Sequence, residues 1–192
     1  MFKYCFTLIA LPLGLICCKT TKYPDQNHGY NNELKIAYTF PFQWIGHYEG
    51  ELFIYDGKSD TLSVNMQLII DNPNAEGYYP WTIIYGKDDF RYYGLEVIDS
   101  EKGHYKIDEF NRIKIDAYLR QNHFVSRFSV LNSDLLIDYE KVDNGIKVHL
   151  YATSSEALSE TGGDRIAQDT VPNVRSYPFG VVQNALLKKK TN

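Results

Sequence analysis

The feature that most constrains the fold is a period of two. From residue 48 to residue 152 apolar side chains recur at alternate positions in short runs, and turn-forming Gly, Asn or Asp separates one run from the next. The clearest run places Leu62, Val64, Met66, Leu68 and Ile70 on one side and Ser63, Asn65 and Gln67 on the other. That spacing matches a strand with one buried face, because successive side chains of a strand point to opposite sides. Before it stand Tyr48, Leu52 and Ile54 and the turn-forming stretch 56–60, so these two strands are expected to form a hairpin. Further runs follow at Tyr79, Trp81, Ile83, Tyr85; Tyr93, Leu95, Val97; Tyr105, Ile107; Ile113, Ile115, Ala117, Leu119; Phe124, Phe128, Val130; Leu135, Ile137, Tyr139; and Ile146, Val148, Leu150, Ala152.

No segment of helical period separates these runs, and parallel neighbours would need such crossovers, so the strands are expected to meander up and down as antiparallel neighbours. A composition of 16 Tyr and 10 Phe against 2 Met agrees with strands. About nine strands with one apolar face leave exposed edges unless the sheet closes. The expected fold is therefore all-β: one antiparallel up-and-down barrel of eight to ten strands within residues 34–152. Leu62, Val64, Met66, Leu68, Ile70, Ile113, Ile115, Phe128 and Val148 should face inward. Residues 153–192 break the alternation and read as a mostly irregular extension, in which 181–187 is apolar enough for a last strand or a short helical turn.

The start of the chain carries an address. Lys3 precedes an apolar stretch from Tyr4 to Ile16, which ends at Cys17-Cys18 and an abruptly polar continuation. This reads as an export signal, since about 20 apolar residues are needed to span a bilayer and this stretch is shorter. Leu15-Ile16-Cys17-Cys18 resembles the bacterial lipobox, which implies cleavage after residue 17 and acylation of Cys18. Cys5 and Cys17 would leave with residues 1–17, so no thiol would remain for a disulfide. Residues 18–33 are polar and Asn-rich and read as the acylated Cys and a flexible tether of roughly 20 Å mean span. The expected location is the cell envelope, with the protein lipid-anchored on the periplasmic or surface face of the outer membrane.

Trp44-Ile45-Gly46-His47-Tyr48-Glu49-Gly50-Glu51-Leu52 resembles the opening strand of lipocalin-like and nitrobindin-like barrels, and the strand pattern extends the likeness over 34–152. More widely, the chain resembles the lipocalin-like lipoproteins of diderm bacteria, which implies fold and address but no activity. A nitrobindin-like haem site would require a proximal His near the end of the barrel. His149 alone has the position, and its parity points away from the face of Val148 and Leu150, so no haem ligand or other cofactor is assigned.

The remaining chemistry is sparse. The five His are dispersed without a metal-ligand spacing, so no metal site is expected. The acidic pairs Asp88-Asp89, Asp108-Glu109 and Asp138 with Glu140 lie mostly at turns, and no nucleophile motif accompanies them, so no catalytic residue is named and the chain is not expected to be an enzyme. A net charge of −4 without a basic cluster on the body of the chain excludes a nucleic-acid partner. The partners expected are a membrane, reached through the lipid anchor, and a small apolar or amphipathic ligand inside the barrel. The alternative is a structural or adaptor lipoprotein that binds an envelope protein with its outer face. The candidate ligand walls are Trp44, Tyr48, Tyr79, Trp81, Tyr85 and Tyr93, an aromatic cluster in the first half of the domain. Gly50, Gly94, Ala117 and Ser126 are small enough to leave interior space.

Overall fold

In the computed structural model, residues 40–57, 61–166 and 169–191 are described. The expected lipidation site Cys18, the expected signal 1–17 and the expected tether 18–33 lie outside them. Nine strands follow the alternating runs in order: β1 (Gly46–Tyr55), β2 (Leu62–Ile70), β3 (Tyr79–Tyr85), β4 (Asp89–Asp99), β5 (His104–Asp108), β6 (Lys114–Arg120), β7 (His123–Val130), β8 (Ser133–Val142) and β9 (Gly145–Ser154). Four short strands, β10 (Ser159–Thr161), β11 (Arg165–Ile166), β12 (Asp169–Thr170) and β13 (Val174–Ser176), precede a long last one, β14 (Phe179–Lys189). Strands β1 to β9 pair antiparallel in sequence order, and β14 lies between β9 and β1, so ten strands form a closed up-and-down barrel. A single 3-10 turn, Phe42–Trp44, precedes β1.

The alternation places the expected faces correctly. Met66, Leu68 and Ile70 on β2 and Val148 on β9 are buried, as are Trp81, Leu95, Tyr105, Ala117, Phe124 and Tyr139 on the strands between them. Leu62 and Ile113 keep their inward parity but stand at one rim of the barrel, where 58% and 48% of their surface is exposed. Val97 is 42% exposed because the β4–β5 register shifts between Val97 and Asp99.

The barrel does not end at residue 152. The tenth strand lies in the region expected to be mostly irregular, and the choice between strand and helical turn at 181–187 falls to strand. Its inner face is Val181, Gln183, Ala185 and Leu187, in which a polar and a small residue interrupt the apolar alternation. Two glycines admit this closing strand. A Cβ on Gly50 of β1 would sit 2.3 Å from the Leu186 carbonyl oxygen, and one on Gly145 of β9 would sit 2.2 Å from that of Leu187. Gly50 therefore allows a close backbone approach rather than leaving interior space. Gly94 faces outward, where the rings of Tyr78 and Phe110 pack over it, and so does not widen the interior either.

Following the pairing register once around the ten strands returns to β1 about 12 residues from the start. Eight strands make a barrel just wide enough for its own side chains to fill, so ten strands leave a surplus of width. At the lower end, where β1 begins, residues from outside the strands take up that surplus. Phe40 and Trp44 enter the bore, with Phe40 4.9 Å from each of the Trp44, Tyr105 and Phe124 ring centroids. The Tyr48 hydroxyl donates to the Trp44 carbonyl at 2.8 Å, which ties the plug to β1. Charged and polar residues such as Glu49, Glu51, Asn65, Lys106, Asp116 and Lys147 take the outer face of the strands, the inverse of a barrel that spans a membrane.

Candidate functional site: a cavity in the upper half of the barrel

Among the described residues no further element enters the bore above the plug, and the surplus width remains as a cavity of about 880 Å³. Its floor is aromatic: Trp81 packs 5.6 Å from Phe124 and 5.2 Å from Tyr139, centroid to centroid. Its walls come from many strands, with Leu52, Met66, Ile83, Ile107, Ile115, Phe128, Ile137, Val148 and Leu150 supplying an apolar lining. Ser126 and Gln183 are small or polar interruptions in it. The rim includes Glu109, Ile113 and Leu131, the last on the β7–β8 turn with φ of 53° and 95% exposure. A volume of this size lies within the range of small-molecule sites, as does an apolar lining with few polar groups.

Of the six aromatic candidates, Trp81, Tyr85 and Tyr93 line the cavity. Trp44 and Tyr48 instead belong to the packed lower half, and Tyr79 packs partly buried against the same core. The difference follows from height along the strands: Trp44 lies in the turn before β1 and Tyr48 near the start of β1, both on the plugged side of Phe124.

Arg91 is among the lining residues that sequence reading did not assign to the site. The inner face of β4 continues upward from Leu95 and Tyr93 to Arg91 and Asp89, which pair across to Tyr79, Trp81, Ile83 and Tyr85 of β3. Arg91 Nε donates to Asp89 Oδ1 at 3.4 Å and a terminal nitrogen donates to Asp89 Oδ2 at 3.1 Å. The guanidinium carbon lies 5.0 Å from the centroid of the Tyr85 ring. Burial works against the guanidinium charge, but the Asp89 hydrogen bond and the neighbouring Tyr85 and Tyr93 outweigh it and hold its pKa above the ordinary value. Burial pushes the Tyr139 hydroxyl up. The signal was present in the sequence as an acid and a base at the parity of Tyr93 and Leu95, just before the run that was read as a strand.

Other candidate residues occupy the outer face. His149 faces outward, as its parity implies, and its ring stacks on Tyr151 at 6.2 Å. His123 Nδ1 lies 2.9 Å from Asp138 Oδ2 on the neighbouring strand. Asp108 accepts a hydrogen bond from the Phe110 backbone N–H at 2.8 Å and an ion pair from Lys114 at 3.0 Å, and these hold its pKa down. Among the described residues no group of three or more His, Cys, Asp or Glu could hold a metal ion. The chain matches no family model, no curated protein and no solved structure.

Proposed function

We propose that this protein is an envelope lipoprotein, acylated at Cys18 after removal of residues 1–17, whose lipocalin-like barrel binds one small apolar or amphipathic molecule. The observation that carries the binding reading is the cavity of about 880 Å³, apolar-walled and open at the upper rim, in a barrel whose lower half is filled. A protein selected only for rigidity gains nothing from such a void, because an unfilled cavity forfeits the contacts its lining would otherwise make. The export signal and the lipobox-like Leu15-Ile16-Cys17-Cys18 support the anchor. Two or three acyl chains, each contributing about 0.8 kcal/mol per buried CH₂, would hold it stably.

Native mass spectrometry of the protein purified from its own envelope tests both parts. The expected result is an N-terminus at acylated Cys18 and a co-purifying small molecule of stoichiometry one. An intact N-terminus overturns the anchor. Absence of any small molecule, with the apo protein also failing to take up hydrophobic probes, overturns the binding reading. The adaptor reading would then stand on the outer face of β4, where Phe90 and Tyr92 stack at 6.3 Å with 48% and 64% of their surfaces exposed.

A further inference from the structure

An ion pair on the inner wall of an apolar cavity is costly to desolvate, and two aliphatic side chains would continue the alternation of β4 at lower cost. Asp89 and Arg91 nevertheless face the interior at the upper end of β4, just under the β3–β4 rim. A guanidinium offers five N–H donors in a rigid fork, and Asp89 takes two of them. The guanidinium also lies over the Tyr85 ring and beside Tyr93 on the same wall. Asp89 thus orients the fork, and Arg91 presents it to a group that enters the cavity it lines. Planar, paired donors of this kind match a carboxylate.

We propose that the cavity takes a single-chain amphiphile with a carboxylate head: Arg91 binds the head beneath the rim, and the tail lies along Met66, Ile115, Ile137 and Val148 toward Trp81. This rests on the binding reading and narrows it from any apolar ligand to an acid. The cavity of about 880 Å³ has room for a medium-length alkyl chain that crosses the bore from Arg91.

The test is calorimetric titration at pH 8 with decanoate, decan-1-ol and decyltrimethylammonium, which share a tail and differ in head charge. The expected order is decanoate tightest, by about tenfold over the alcohol, and the cation weakest. Arg91→Gln should bring decanoate to the affinity of the alcohol and leave the alcohol unchanged. Equal binding of all three by the wild type overturns this inference alone, as does a loss in Arg91→Gln that falls equally on acid and alcohol. Failure of all three to bind overturns the binding reading and the inference with it. If circular dichroism shows Arg91→Gln unfolded, Arg91→Lys replaces it, keeping the charge but not the fork. A several-fold loss for decanoate with the alcohol unchanged then supports the proposal, and no change in either overturns it.

Discussion

The two ends of the barrel are built from the same ten strands, yet one is solid and the other hollow. The lower half contains Trp44, Tyr48, Tyr105, Phe124 and Ile146 at almost no exposure, and part of that packing comes from Phe40 and Trp44, which belong to no strand. Among the described residues the upper half has only its own side chains, several of them small or polar, such as Ser126 and Gln183. A ten-stranded bore is too wide to be filled by its strands alone, so whether a level is solid depends on what enters it from elsewhere. The contrast assigns stability to one end and binding to the other.

Truncations should expose that division most strongly. Trp44→Ala removes a fully buried ring that meets Phe40 and Phe124, and should cost about 3–5 kcal/mol in denaturant unfolding. Phe128→Ala, beside existing empty space, should cost well under half as much. Equal losses would break the comparison.

Alkaline pH should act through the packed half and the floor above it. Burial raises the Tyr48 hydroxyl from 10.0 to about 12, and it raises Tyr105 and Tyr139 as well. Above pH 10 the unfolded chain loses these protons while the folded chain keeps them, so the unfolded state binds fewer protons and stability falls as pH rises. Urea unfolding between pH 9 and 12 should show a decline on the order of 2–3 kcal/mol from Tyr48 alone. Tyr48→Phe should make the decline shallower, leaving the part from Tyr105 and Tyr139, and an unchanged slope would contradict the assignment.

A finer test uses one cross-strand pair that straddles the boundary. Ala117 and Ser126 are direct partners on β6 and β7, but Ala117 is fully buried and Ser126 lines the cavity. Ala117→Leu should overpack the solid half and cost about 1–3 kcal/mol. Ser126→Leu should change stability by less than about 1 kcal/mol while reducing the uptake of hydrophobic probes. Thermal unfolding and probe titration of the two variants separate these outcomes.

How much of this was legible in the sequence depended on how regularly each strand alternates. β2 reads directly because Val64, Met66, Leu68 and Ile70 are all apolar and their neighbours mostly polar. β14 does not, since Gln183 and Ala185 dilute its inner face and its place between β9 and β1 is a matter of closure rather than of local pattern. The plug was invisible for a similar reason: nothing in the short run around Phe40 and Trp44 says that it turns into the bore. Arg91 escaped because a charged residue at an inward position contradicts the rule by which strands are read, and such contradictions are where function tends to be found. The identity of the cavity walls was legible in parity, but their height along the barrel was not. That is why Trp81, Tyr85 and Tyr93 reach the cavity while Trp44 and Tyr48 fill the plug.

The two tryptophans of the chain provide the most direct test of the division, because Trp81 forms the cavity floor and Trp44 lies behind Phe124 in the solid half. Bromobenzene, a neutral apolar quencher, would be titrated into Trp44→Phe, in which only Trp81 emits, and into Trp81→Phe, in which only Trp44 emits. Trp81 should be quenched saturably and Trp44 little. Absence of saturable quenching at Trp81, or equal quenching of both, would contradict a barrel that is hollow above and solid below.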